Sequence, residues 1–533
     1  MISIHELLFQ FIYRYKITFF FYIAFTALLY PFQNIVLPDY YGKVMNSFKE
    51  GTNFMQMLKM LLFVFLISII LEDLVGIFQY LIVPDFSQFI TTTMFSFILN
   101  HYEYDFENVK LGEIISKMTK MPSILFDYVD VFRIDVLKQA FIFIAAIFHY
   151  LSISKTILYV FLFYLVIHYV YFFVMSKQFY FYNERVNSFQ DKSYEYLNDT
   201  MQNMSTVYSL NQQNHEKDRF YKFSFSKYKE MFGASYLAYL RNYLLWALVN
   251  ISMFIIINYL LYKAYKDKKI TSAGLVSSFV ITWSILSVYQ KAIDSAWNLS
   301  EVNGQLFNAQ NFLNEISVQK DPKVGTKDFV NGDIVVSNVY HKYSNETDVF
   351  VLENVSLKVK KGEKVAFVGP IGCGKSTIVK LLMGYQPLLM GDITIGGVSI
   401  KDISNEKIRD QVFYIPQKPK LFNRTIYDNI VYGMDKPPSK EVLTDIMGAY
   451  GIYFELDRMA GIEGNSLSGG QRQMIWLVRA ILRPCSVIVM DEPTSALDPD
   501  NKKLINSIIR TFDKTVIIVS HDTIDPMFRK IHF

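Results

Sequence analysis

The sequence predicts two fold classes in tandem: an all-α membrane domain of six helices, then an α/β domain built on a phosphate-binding loop. Three observations carry that expectation. Six runs of about 20 apolar residues precede residue 290, each long enough to cross a bilayer as a helix. Beyond residue 332, short apolar runs alternate with helical stretches, as a parallel sheet requires. Between one such run and one such helix, residues Gly369–Thr377 fit the pattern GxxxxGK[ST].

Composition agrees. A chain of 533 residues is too long for one core and implies at least two domains. Hydrophobic residues make up 51% and charged residues only 19%, against about 25% charged in an average soluble domain. That shift points to a membrane. The net charge of +4 is small and spread along the chain, so no basic surface for nucleic acid is expected. Both cysteines, Cys373 and Cys485, lie in the second half without metal-ligand spacing, which fits a reducing, cytosolic setting. The start, Met1-Ile-Ser-Ile-His-Glu, lacks the basic and small-residue flanks of a cleaved signal peptide.

The membrane domain is expected over 1–320, with apolar runs at Ile17–Leu37, Leu58–Val83, Leu137–Ile153, Thr156–Ser176, Tyr243–Tyr262 and Ile270–Tyr289. The third is short, and Glu72 and Asp73 interrupt the second. An even number of spans returns Arg14 and Lys16 to the side of the phosphate loop, which must be the cytosol where ATP is. The connections between runs two and three and between runs four and five are long, implying helices that reach into the cytosol. In Lys177–Arg241, nine basic and seven acidic residues are mixed, as on solvated helix faces. Lys263, Lys266, Lys268 and Lys269 fall in a short loop that should face outward against the positive-inside rule, so orientation rests on the nucleotide domain. Glu72 and Asp73 have two readings. One of them faces a water-filled cavity and a cationic substrate, or the helix leaves the bilayer there with Pro84 marking a later kink.

A polar linker is expected over 321–332 and the α/β domain over 333–533. Its strand-like runs are Asp333–Val336, Val351–Val359, Lys364–Val368, Asp392–Ile395, Val412–Ile415, Val487–Met490 and Thr515–Val519. In the loop of Gly369, Pro370, Ile371, Gly372, Cys373, Gly374, Lys375, Ser376 and Thr377, glycines let backbone N–H groups point inward at phosphates, and the following helix adds its N-terminal partial charge. Lys375 reaches the β- and γ-phosphates and Ser376 is a Mg2+ ligand. The apolar run ending in Asp491 and Glu492 delivers two carboxylates to the C-terminal end of a buried strand. Asp491 helps hold Mg2+, and Glu492 orients or activates the attacking water. Leu467, Ser468, Gly469, Gly470 and Gln471 form a second glycine turn at a helix N-terminus, a second anion site.

That pentapeptide joined to a phosphate loop resembles the ATP-binding cassette (ABC) transporters. The resemblance implies further roles. Tyr343 stands where the family stacks adenine, with Tyr340 a rival by position. Gln417 matches the loop glutamine that contacts Mg2+ and senses the membrane domain. Asp498 matches a loop that crosses between protomers, and His521 matches the γ-phosphate histidine. The membrane half is similar to the exporter branch, in which six spans precede one cassette. By that resemblance Glu103–Asn108 and Asn211–Glu216 would be coupling helices. The implied function is ATP-driven export of an unidentified substrate by a half-transporter that pairs with a second one, most simply as a homodimer or else as a heterodimer. The alternative is a nucleotide-regulated channel or a non-transporting scaffold of the same architecture. Two departures stand out. Ala460–Asn465 is shorter than the family's acidic loop, and twelve residues follow His521 where the family has further strands, so an uncovered sheet edge is expected.

Overall fold

The computed structural model describes residues 3–51, 53–101, 111–318, 325–343, 350–494, 498–520 and 525–533. They form two compact units, one up to Val318 and one from residue 325 onward.

The first unit is helical throughout. Helix α1 (Ile4–Arg14) starts at Ser3, whose hydroxyl accepts from His5 N, and it buries Ile4, Leu7, Leu8 and Phe11 along one face. Helix α2 (Lys16–Pro31) passes through a π-helical segment, Phe32–Val36, into α3 (Leu37–Glu50). Next come α4 (Phe54–His101), α5 (Leu111–Val131), a second π segment at Phe132–Leu137, and α6 (Lys138–Ile153). The unit ends with α7 (Lys155–Gln202), α8 (Met204–Ser209), α9 (Gln213–Lys266), α10 (Ser272–Gln290) and α11 (Ala292–Val318). Helices α4 and α7 have 48 residues and α9 has 54. At 1.5 Å per residue, 48 residues span about 72 Å, more than twice the hydrocarbon core, so these helices project well beyond a bilayer.

Among the described residues, five helical stretches are long and apolar enough to cross a membrane: Lys16–Glu50, Phe54–Asn100, Lys155–Gln202, Gln213–Lys266 and Ser272–Asn314. The expected run at Leu137–Ile153 falls mainly in α6, a 16-residue helix that continues α5 through the π segment and buries Ile142, Phe143, Ala146 and Tyr150. Helix α4 runs unbroken through Glu72, Asp73 and Pro84. Both are exposed, and Gln33 in the first π segment donates to Glu72 at 3.3 Å. Of the two expected coupling helices, Glu103–Asn108 lies outside the described residues. In the other, Asn211, left-handed at φ 55°, and Gln212 form a turn after the short helix α8, and Gln213–Glu216 open α9. Asparagine tolerates that conformation, and the turn ends one helix and starts the next.

Small and polar side chains tie these helices together, as expected where lipid supplies no hydrophobic drive. Ser277 of α10 donates to the Asp39 carbonyl (3.1 Å), and Ser284 to Asn34 (2.6 Å). Tyr150 pairs with Thr282 (2.9 Å), and the Trp246 indole donates to the Tyr289 carbonyl (2.6 Å). Closest of all is Gly42 in α3. A Cβ there would lie 2.0 Å from Ser277 Oγ and 2.7 Å from its backbone N.

The second unit holds two sheets. An antiparallel one has the order β2 (Leu352–Val359), β1 (Ile334–His341), β4 (Met390–Ile395), β5 (Val398–Ser399). A parallel one has the order β6 (Val412–Ile415), β7 (Val487–Asp491), β8 (Thr515–Val519), β3 (Lys364–Val368), β9 (Arg529–His532). Alternation sorts the parallel strands into two cores. Val365, Phe367, Val412, Val487, Val489 and Ile517 pack toward the antiparallel sheet, with α12 (Lys375–Leu382) and α13 (Asn405–Gln411) beside them. Ala366, Phe413, Ile488, Met490, Val516 and Ile518 pack on the opposite side with α14 (Ile426–Ile430), α15 (Lys440–Ala449), α16 (Gly469–Leu482) and α17 (Pro499–Thr511). Among the described residues the last strand of the sheet on that side is β9, beyond β3. β9 pairs with β3 from Val365 to Val368, and Phe533 N donates to the Val368 carbonyl at 2.9 Å.

Replacing Gly42 by leucine forces a side chain into backbone and should cost about 1–3 kcal/mol of stability, typical of overpacking. It should therefore lower the melting temperature of the full chain in detergent. An unchanged melting temperature would show that α3 and α10 do not pack this closely.

Candidate nucleotide site

The C-terminal ends of β3, β7 and β8 are knitted by backbone bonds, which brings three expected motifs to one edge. Glu492 N donates to the Val519 carbonyl (2.9 Å) and Ser520 N to the Phe367 carbonyl (3.3 Å). The phosphate loop leaves β3, the carboxylate pair leaves β7, and β8 between them leads toward His521, which itself lies outside the described residues.

The loop is shaped by left-handed backbone at Gly372 (φ 84°) and Gly374 (φ 95°), conformations that side-chain-bearing residues rarely adopt. Gly372 has open space where a Cβ would go. At Gly374 a Cβ would fall 2.3 Å from Leu352 Cδ2. Gly374 caps α12, whose first residue, Lys375, is buried with its ammonium at the centre of the loop, donating to the Gly369 (2.9 Å) and Pro370 (2.8 Å) carbonyls and to Cys373 Sγ (3.5 Å). Ile371 is 90% exposed at the loop tip, and Ser376 is half-buried beside buried Thr377. The Tyr343 hydroxyl lies 3.0 Å from Thr377 Oγ1, and the ring is half-exposed. Tyr340, the rival by sequence, pairs with Met390 inside the antiparallel sheet and packs edge-on against Phe350.

Asp491 is buried at the end of β7 and accepts from the Tyr414 hydroxyl (3.3 Å). Glu492 sits in left-handed backbone at φ 47°, a conformation uncommon outside glycine and concentrated at functional sites. Its Oε2 accepts from Gln417 Nε2 at 2.6 Å. The two side chains expected to act on water and metal are therefore in direct contact.

The glycine turn is a helix cap. Ser468 is the N-cap of α16 and forms a capping box with Gln471: Gln471 N donates to Ser468 Oγ (3.2 Å) and Ser468 N to Gln471 Oε1 (2.9 Å). Leu467 is buried while Ser468 is exposed, so the apolar residue anchors the turn and the polar one faces outward. Gly469 and Gly470 open the helix. Asp498 caps α17, accepting from Asp500 N (3.1 Å) and Asn501 N (2.9 Å), and the bonds from Asn501 hold its carboxyl below the usual range.

Sequence reasoning missed a second set of links. The chain after Gln417 is tied to the turn before Leu467: Lys420 pairs with Glu463 (2.8 Å), and the Trp476 indole of α16 donates to the Lys420 carbonyl (3.2 Å). Helix α16 is fixed from behind by Arg479, whose guanidinium donates to the Asn429 carbonyl (2.6 Å) and whose pKa burial lowers to about 10. The Tyr414 bond to Asp491 had no local signal, because Tyr414 lies in a run that reads simply as a buried strand.

Helices of membrane-crossing length joined in one chain to a phosphate-loop cassette define a multi-pass membrane protein with a nucleotide-binding domain. The chain belongs to the ABC transporter family: residues 16–288 match the profile described as ABC transporter transmembrane region, and residues 352–495 match that described as ABC transporter. Among curated proteins it is similar to the lactococcin-G-processing and transport ATP-binding protein LagD of Lactococcus lactis, 32% identical over 339 residues, covering 61% of this chain and 47% of that protein. The ATP-dependent lipid A-core flippase of Haemophilus influenzae is 32% identical over 265 residues, covering 47% and 44%. The multidrug resistance protein pgp-1 of Caenorhabditis elegans is 38% identical over 213 residues, covering 38% and 16%. The chain thus aligns with less than half the length of each of these relatives. A solved structure of a bacterial Atm1-family ABC exporter with ATP bound shares the fold, with TM-score 0.77 at 18% identity over 96% of this chain and 91% of that one.

The two free cysteines provide a test of the loop. Cys373 is half-buried in the phosphate cradle, whereas Cys485 is buried and its thiol is pushed up by burial. Maleimide should label Cys373 in the native full chain and Cys485 only after denaturation, because the thiolate is the nucleophile and needs access. MgATP should slow labelling of Cys373. Labelling of that residue indifferent to MgATP would show that phosphates do not occupy this loop.

Proposed function

We propose that this chain is an exporter-type half-transporter whose cassette binds and hydrolyses ATP together with the cassette of a second chain. The observation that carries the proposal is the Gln417–Glu492 bond at the sheet edge that also carries the phosphate loop and Asp491. It supports a hydrolytic role because a carboxylate fixed through one oxygen is oriented to accept a proton from an attacking water.

The remaining groups take their places around it. Backbone amides of Gly369–Thr377 and the Lys375 ammonium receive the phosphates, and the Tyr343 ring at the rim stacks the adenine. His521, by the family resemblance, would contact the γ-phosphate. Ser376, Gln417 and Asp491 offer hard oxygen donors suited to Mg2+. Such a set would leave room for phosphate oxygens and water as further ligands. When bound there, the ion would supply positive charge against the phosphates. The N-terminus of α16, behind Leu467–Gln471, serves the nucleotide of the partner chain, and Asp498 lies on the loop that crosses between them. Binding draws two cassettes together and switches the membrane helices from inward- to outward-open, and hydrolysis resets them. The cassette and the N-terminus face the cytosol, where ATP is. The partner is a second copy of this chain, since a two-fold pair satisfies both half-sites with one gene product.

Glu492→Gln tests this reading. The amide fills the same space and is no base, so ATP turnover by the full chain in lipid vesicles should fall by about 10²–10⁴-fold while nucleotide stays bound. Wild-type turnover in this variant would remove Glu492, and the proposed chemistry with it.

A further inference from the structure

His341, the last residue of β1, is 2% exposed, and neither ring nitrogen has a hydrogen-bond partner among the described residues. Burying two polar atoms without partners is costly, and a phenylalanine of similar shape would fill the position without that cost. The imidazole does have a neighbour of interest. Its ring stands 5.2 Å from the Tyr343 ring at 87°, while the Tyr343 hydroxyl reaches Thr377 of the phosphate loop at 3.0 Å. Across the β1–β2 ladder His341 is paired with Leu352, whose Cδ2 lies over Gly374. One buried imidazole thus supports the ring at the rim of the nucleotide site and adjoins the side chain that packs on the loop's constrained glycine.

We propose that His341 is a positioning residue for the nucleotide: as a neutral ring it seats Tyr343 beside the phosphate loop, and its protonation unseats Tyr343, so that nucleotide affinity falls in mild acid. This rests on the reading of Tyr343 as the adenine-stacking ring. The imidazole faces the ring of Tyr343, two residues beyond the end of β1, and pairs across the ladder with apolar Leu352 on β2, and burial holds its pKa below the ordinary histidine value. The seated form therefore binds fewer protons than the unseated one. Its advantage is full above the ordinary value of about 6.5 and is lost as pH falls below it toward the depressed one.

The test measures binding of a fluorescent ATP analogue, with KM and kcat for ATP, on the full chain in detergent between pH 7.5 and 5.5. The terminal phosphate of ATP titrates in the same range for every variant, so the readout is the difference between proteins. The wild-type Kd should rise in acid by about two- to tenfold more than that of His341→Phe, with KM following and kcat moving little. His341→Gln, which does not titrate either, should show the same flattened profile and covers the case in which phenylalanine disturbs β1. Tyr343→Ala should weaken binding at pH 7.5; if it does not, the stacking reading fails and this inference with it. If Tyr343→Ala weakens binding but both His341 variants keep the wild-type acid response, the inference alone is overturned.

Discussion

Backbone N–H groups converge on a phosphate chain only where the backbone turns through conformations that a Cβ would obstruct, and that constraint organises the cassette. Gly374 meets it at φ 95°, with no room for a side chain because Leu352 occupies the space. The loop's curvature is thereby locked to β2 of the antiparallel sheet, and its exit is locked to α12. On the other side of the site, Glu492 holds a left-handed backbone without being glycine, fixed by its own N–H to Val519 and by the burial of β7 behind it. Strain of that kind persists where the surroundings over-determine it. Here they do so at the carboxylate nearest the proposed chemistry.

From that carboxylate a chain of contacts runs through the cassette to the capped glycine turn at Ser468. Gln417 bonds Glu492, while Lys420, three residues on, bonds Glu463 and is held through its carbonyl by Trp476 of α16. The segment after β6 therefore touches Glu492 at one end and the capped glycine turn at the other. A shift of that segment has to move both, which is a physical route for linking hydrolysis to the placement of Ser468. Lys420 and Glu463 are exposed, so this ion pair contributes little stability by itself. What it supplies is geometry.

Much of this was legible in the sequence because a parallel strand buried on both faces is an apolar run, and a functional residue at its end is the first polar residue after it. Val487 to Asp491 and Lys364 to Gly369 follow that rule: β3 spans Lys364–Val368 as expected, and β7 starts at Val487 and runs one residue past the expected Met490. The glycine turn was legible because capping chemistry at Ser468 and Gln471 is local. Features set by distant partners were not. Strand β9, with mostly exposed side chains, shows no apolar run and exists because β3 offers it a ladder. The π segments at Phe32–Val36 and Phe132–Leu137 leave no compositional trace, and the turn between α8 and α9 is made by a left-handed asparagine, not by an apolar pattern. The placement of Tyr343 against Thr377, which separates it from Tyr340, depends on strand register, and one sequence does not state register.

One phosphate loop and one capped glycine turn in the same cassette are each half of a site if the turn serves the nucleotide of another chain. Co-expressing a Lys375→Ala chain with a Ser468→Arg chain examines this most directly. In the mixed dimer both lesions fall on the same composite site and leave the opposite one intact. A two-chain site predicts ATP trapped at about one site per mixed dimer and little in dimers of Ser468→Arg alone, where every composite site carries the lesion. Monomeric wild-type chain that hydrolyses ATP at a specific rate independent of its concentration, or mixed dimers that trap no more than the Ser468→Arg dimers, would contradict it.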